Sequence, residues 1–127
     1  MIIAKPVIQF IDSFDYAKSE MGNLLAGQGP KTPSSNTVGT HDYSSSRPLR
    51  AIIFGRGYPP EQVSELFGLF HGKGRRPVAW IAGDPEFKLP AAGKLPADYA
   101  RIAAENTKMA FRRWEEEGGE REEIVFY

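Results

Sequence analysis

Three apolar runs of the sequence each end in residues that can bind a ligand. The first run is "VIQFI" at 7–11, the second is "RAIIF" at 50–54, and the third is "PVAWIA" at 77–82. The residues that follow these runs supply carboxylates, a hydroxyl, a guanidinium, a phenol and glycines: Asp12, Ser13, Gly55, Arg56, Gly57, Tyr58 and Asp84. Carboxylates accept hydrogen bonds from ligand hydroxyls, and the planar guanidinium binds phosphate or carboxylate. Together these residues predict a binding site for a polar or anionic small molecule.

The second of these groups lies in the stretch "FGRGYPP" at 54–60. Gly55 and Gly57 allow a sharp turn and a close approach of a ligand to the backbone. The helix that follows directs its positive dipole end at the turn, and Arg56 adds a donor fork for an anion. Pro59 and Pro60, however, remove two N–H donors from the first helical turn. Two interpretations stay open: the stretch is a ligand cradle, or it is a tight corner between strand and helix.

Residues 50–70 resemble, at the level of the fold, the strand–glycine turn–helix corner of the Rossmann-like NAD(P)-binding superfamily. The fingerprint of that superfamily is G-x-G-x-x-G, followed by an acidic residue at the end of the next strand. Gly55 and Gly57 match its first two glycines, Pro60 stands at the third, and Asp84 corresponds to the acidic residue. The resemblance implies NAD(P) or another nucleotide as a cofactor that contacts Gly55 and Gly57.

Helical periodicity predicts three helices between and after these runs. The first extends from about Phe14 to the glycines at 27 and 29, with Asp12 or Ser13 as its cap. The second covers 59–71, and the third covers about 98–117. The apolar stripes are Phe14, Ala17, Met21, Leu24 and Leu25 in the first helix, Val63, Leu66, Phe67 and Phe70 in the second, and Tyr99, Ile102, Ala103, Asn106, Met109, Ala110 and Trp114 in the third.

The order of elements is β-α-loop-β-α-β-α-β, with "EIVFY" at 123–127 as the last strand. The strands are short and apolar on both sides, which is typical of parallel strands covered by helices on both faces. We therefore predict one α/β domain over 1–127. Its architecture is a small three-layer sandwich with a mainly parallel sheet of about four strands and three helices, Rossmann-like or flavodoxin-like. Residues 27–48 are rich in Gly, Pro, Ser and Thr and predict a long flexible loop.

Composition excludes several classes of function. The 16 basic and 16 acidic residues balance, which favours neither nucleic acid nor a membrane surface as partner. The absence of cysteine excludes disulfides and thiolate chemistry and fits a cytoplasmic location. No apolar stretch reaches the roughly 18 residues that span a bilayer. His41 and His71 lie far apart in the sequence, so no metal site is predicted.

Two functions follow from this pattern. The first is a small Rossmann-like domain that binds a nucleotide or other anionic small molecule at the carboxyl ends of its strands, as a reduced relative that lacks catalysis. The alternative is a non-catalytic interaction or assembly module, a homodimer, that uses the exposed side of the second helix at Leu69 or the last strand. Asp12, Tyr58 and Asp84 are suited to acid–base chemistry, but their spacing selects no reaction, so enzymatic activity stays undecided.

Overall fold

The computed structural model describes residues 11, 13–31, 49–55, 57–74, 76–86 and 97–127. In this part of the chain it contains three helices and three strands: α1 (Phe14–Leu25), β1 (Ala51–Ile53), α2 (Pro60–Phe70), β2 (Ala79–Ala82), α3 (Tyr99–Glu116) and β3 (Ile124–Phe126). The predicted α/β class is confirmed. The first predicted strand, at 7–11, lies outside the described residues except for Ile11, which is buried, and most of the predicted loop at 27–48 also lies outside them.

The three strands form one parallel sheet in the order β1-β2-β3. Trp80 of the central strand β2 pairs with Ile52 on one side and with Ile124 on the other. All four residues of β2 are buried, as expected for a central strand that is covered on both faces.

Helices cover the two faces of this sheet. On the first face, α1 and α2 pack against Ile52, Phe54 and Trp80. The ring of Trp80 is stacked on Phe54 and lies edge-on to Phe67 of α2. On the second face, α3 packs against the alternate residues of the strands, which include Ala79 and Ile81. The described residues therefore form the three layers that the sequence predicts.

The position of α3 differs from that of a doubly wound sheet. The connections β1–α2–β2 and β2–α3–β3 both move one strand in the same direction, yet α2 and α3 lie on opposite faces. The two crossovers therefore have opposite hands. In a sheet whose crossovers are all right-handed, two such steps place both helices on one face. The described part accordingly establishes a parallel α/β fold but not the Rossmann-like or flavodoxin-like type.

The helix bounds agree with the periodicity to within one or two residues. Ser13 is the N-cap of α1, where its Oγ accepts the N–H of Tyr16 at 3.3 Å. Pro60 is the first residue of α2, as its fixed φ and missing N–H predict. Within the described ranges, no helix combines the length and the hydropathy that a membrane crossing requires.

The predicted stripe of α3 is wrong at two positions. Ala110 and Trp114 are buried as expected, but Ile102 is 40% exposed and Met109 is 63% exposed. The reason is the rotation of the helix about its axis. The face that α3 turns to the sheet runs through half-buried Ala103 and buried Ala110 and Trp114. Ile102 and Met109 each precede a residue of that face by one position, which is about 100° around an α-helix, so they lie to its side.

Candidate functional site

A cleft lies at the carboxyl ends of the strands, on the face that α2 covers. We name it the strand-end cleft, and it has a volume of about 160 Å³. Gly55 and Tyr58 line it from the loop after β1, and Gly83 and Asp84 line it from the loop after β2. Ser64 of α2 forms a further part of its wall. The carboxyl ends of parallel strands are the usual position of ligand sites in α/β sheets.

The structure brings together three of the residues that the sequence selects: Gly55, Tyr58 and Asp84. Gly57 lies in the same turn and is exposed, but it is not part of the described wall. Ser13 serves as the cap of α1. Asp12 and Arg56 lie outside the described residues. Two of the three predicted groups thus meet in one place.

The glycines of the corner are not required by the local backbone. Neither Gly55 nor Gly57 has a φ in the left-handed region. A Cβ built on either residue would meet no described atom within 4 Å. By contrast, the Cβ of a substituted Gly74 would lie 3.0 Å from the carbonyl oxygen of Arg76. The described backbone therefore does not require glycine at 55 or at 57.

Tyr58 is a fixed part of the wall. Its hydroxyl donates to the carbonyl oxygen of Ile11 at 3.3 Å, and its ring lies edge-on to Phe54 with centroids 5.8 Å apart. Its N–H donates to the carbonyl oxygen of Gly55 at 3.1 Å, which closes the turn. Because the phenol proton is already engaged with the main chain, Tyr58 is better suited to shape the cleft than to transfer a proton.

Asp84 is the charged residue of the described wall. Its Oδ1 accepts the N–H of Glu86 at 2.9 Å, which holds the side chain in a local turn. Its Oδ2 has no partner among the described residues. The side chain is exposed, so this oxygen is available to accept a hydrogen bond from a ligand hydroxyl.

The amino end of α2 contributes little to anion binding. Pro59 and Pro60 carry no N–H, and the N–H of Gln62 donates to the carbonyl oxygen of Pro59 at 3.0 Å. Glu61 adds a negative charge in the same turn. A positive charge for an anionic ligand would therefore have to come from a side chain, and Arg56 is the candidate that the sequence supplies.

Two residues at the cleft are not among those selected from the sequence. Ser64 lies on the exposed side of α2, next to buried Val63, and Phe126 presents a 46% exposed ring from β3. Phe126 could have been selected from the sequence, because the rule that ligands bind at the carboxyl ends of parallel strands applies equally to "IVFY". Ser64 carries no such signal, since its place in the wall depends on how α2 packs.

The histidines do not form a metal site in the described part. His71 caps the end of α2, with its Nδ1 2.7 Å from the carbonyl oxygen of Phe67 and its ring stacked on Phe67. Within the described ranges, no three His, Asp or Glu side chains come together as metal ligands would. His41 lies outside those ranges.

Comparison with known proteins finds a fungal relative. "Kojic acid related protein 6" of Aspergillus oryzae (strain ATCC 42149 / RIB 40) is 31% identical to this chain over 111 residues. The match covers 87% of this chain and 64% of that protein, so the chain spans less than two thirds of the length of this relative. No protein-family model and no solved structure matches the chain.

Proposed function

We propose that the protein binds a small hydroxyl-bearing molecule, a nucleotide or another anionic metabolite, in the strand-end cleft. The observation that carries the proposal is the meeting of Gly55 and Asp84, from two different loops, in one cleft where a Cβ at Gly55 would meet no described atom within 4 Å. In this proposal Asp84 accepts hydroxyls, the rings of Tyr58 and Phe126 face the ligand, and Arg56 neutralises its anionic group.

The size of the cleft favours a ligand smaller than a dinucleotide. Pockets for drug-sized ligands have volumes of about 300–1,000 Å³. The described residues enclose about 160 Å³, which suits one ring or one sugar. We therefore rank a single-ring ligand, or a mononucleotide that places one ring or sugar in the cleft, above NAD(P). A Rossmann-like strand–turn–helix corner at 50–70 and a cytoplasmic location stay parts of the proposal.

The name of the fungal relative suggests a further test ligand that is small enough for the strand-end cleft. Its name refers to kojic acid, a single ring that carries hydroxyl groups. A molecule of that kind offers hydroxyls to Asp84 and a flat face to Phe126. Kojic acid is therefore tested beside the nucleotides, without the assumption that the two proteins act alike.

Titration followed by amide NMR tests the proposal. Adenosine, AMP, NAD+, kojic acid and inorganic phosphate are added separately up to millimolar concentration. We expect at least one probe to shift the amides of Gly55, Gly83 and Asp84, and a preference for AMP over adenosine would indicate an anion site. If no probe shifts these amides, the proposal is wrong.

A matched pair of variants tests the location. Ser64→Trp fills the cleft from α2, so we expect it to abolish binding while the melting temperature is kept, because Ser64 is exposed. Ser19→Trp is the control, since Ser19 is an exposed serine of α1 outside the described wall. Equal binding by the two variants would place the ligand elsewhere.

A homodimer is the second candidate function. Within the described residues β3 is an edge strand, and Leu69 is 48% exposed, as the sequence predicts. An edge strand offers unpaired backbone groups to a second copy. Light scattering at micromolar concentration decides this, because a monomer of 14.1 kDa counts against assembly.

A further inference from the structure

Tyr127 ties together the carboxyl ends of all three strands. Its N–H donates to the carbonyl oxygen of Ala82 at 3.0 Å, and its own carbonyl oxygen accepts the N–H of Asp84 at 3.2 Å. Its phenol hydroxyl donates to the carbonyl oxygen of Phe54 at 3.0 Å. Because β2 lies between β1 and β3, this side chain passes across the end of the central strand.

The phenol takes the place of a sheet hydrogen bond. Along the β1–β2 ladder, the N–H of Ala79 donates to the carbonyl oxygen of Arg50, and the N–H of Phe54 donates to that of Ile81. If the ladder continued with the same offset, the next hydrogen bond would run from the N–H of Gly83 to the carbonyl oxygen of Phe54. That bond is not formed, and the donor to the Phe54 carbonyl oxygen among the described residues is the Tyr127 hydroxyl.

The consequence concerns the strand-end cleft. Gly83 lines the cleft, and its N–H has no partner among the described residues. The side chain of Tyr127 packs on the opposite face, with Ile53, Phe111 and Val125 near α3, and it is not part of the described wall. The hydrogen bonds that connect Tyr127 to the surroundings of the cleft run through Ala82, Asp84 and Phe54.

We propose that Tyr127 is a positioning residue that holds the end of β1 away from Gly83 and so keeps the Gly83 N–H available to an acceptor oxygen of the ligand. Next to it, Asp84 Oδ2 accepts a hydroxyl, so the pair recognises a molecule with a hydroxyl close to a carbonyl, hydroxyl or phosphate oxygen. The ligand-binding part of this inference rests on the proposed function, whereas the effect on Gly83 does not.

Tyr127→Phe tests the inference, because it removes the hydroxyl and keeps the ring in its packing. We expect the Gly83 N–H to move onto the carbonyl oxygen of Phe54, so that its hydrogen exchange slows although the protein is less stable. Affinity for the probe that binds the wild type should fall by about three- to tenfold, the effect of one hydrogen bond. A purely structural role would speed exchange at Gly83, not slow it.

Ile53→Val is the matched control, since Ile53 packs in the same layer as Tyr127. It should lower the melting temperature without slowing exchange at Gly83, and it should leave affinity unchanged. Faster or unchanged exchange at Gly83 in Tyr127→Phe overturns the inference, whether or not a ligand binds. A different outcome is possible, in which exchange at Gly83 slows in Tyr127→Phe but the wild type binds none of the probes. The proposed function is then wrong, and the positioning role of Tyr127 stands.

Discussion

At the scale of single residues, two positions distinguish a ligand site from a simple turn between strand and helix. They are Gly55 in the corner and the carboxylate of Asp84. Gly55 has an ordinary φ, and a Cβ built on it would meet no described atom within 4 Å, so the described part of the fold gives no reason for a glycine there. Asp84 uses one oxygen for its own turn and keeps the other exposed. Each of these facts can be tested by a substitution that spares the fold.

Gly55→Ala should leave the fold intact and weaken binding. The added methyl meets no described atom, and the loss of backbone freedom in the unfolded chain raises stability by up to about 1 kcal/mol. In the cleft the same methyl takes space from the ligand, so affinity should fall several-fold. Chemical denaturation and calorimetric titration measure the two effects.

Gly68→Ala is the control for that substitution. Gly68 is an exposed glycine of α2 with open space around it and lies outside the described wall. Alanine there should stabilise the helix by about 1 kcal/mol and leave affinity unchanged. If both variants bind as the wild type does, Gly55 is only part of a corner.

Asp84→Asn should reduce affinity with little change in stability. The amide oxygen still accepts the N–H of Glu86, but the second oxygen becomes a donor and the charge is lost. A hydrogen bond to a charged group contributes about 1.5–3 kcal/mol, so we expect a loss of about tenfold or more. Asp98→Asn, at the exposed start of α3, is the control in the same titration.

At the scale of elements, the sequence predicts the helices well because their signals are local. The caps, the prolines of α2 and the spacing of Val63 and Leu66 all act within a few residues. The burial of Met109 is predicted wrongly, because it depends on the rotation of α3 about its axis, which turns Ala110 and not Met109 to the sheet. The choice of face for α3 has no local signal either.

Ser13→Ala tests an assignment at this scale. The sequence allows Ser13 a place in the site or at the helix cap, and in the structure its Oγ accepts the N–H of Tyr16. Loss of this cap should destabilise the protein by about 1 kcal/mol and leave affinity unchanged. Ser19→Ala, an exposed change within α1, should alter stability by less than about 0.5 kcal/mol in the same unfolding experiment. If Ser13→Ala lost binding and Ser19→Ala did not, Ser13 would belong to the binding site.

At the scale of the whole molecule, the candidate site is predictable in position but not in detail. The rule that ligands bind at the carboxyl ends of parallel strands selects Gly55, Tyr58 and Asp84 from the sequence alone. It cannot select Ser64, whose place in the wall arises only when α2 is packed, and it does not reveal the hydrogen bond from Tyr127 to Phe54. The opposite hands of the two crossovers likewise follow from packing on both faces and not from any motif.

The two tryptophans pack on opposite faces of the sheet, so each face has its own fluorescence signal. Trp80 lies among aromatic rings on the side of α1 and α2, with its Nε1 donating to Glu122 at 3.2 Å. Trp114 belongs to α3 and packs on the other face of the sheet, with the guanidinium of Arg50 5.3 Å from its ring centroid. Replacing one tryptophan with phenylalanine leaves the fluorescence of the other, so the melting of each side of the sheet can be followed separately.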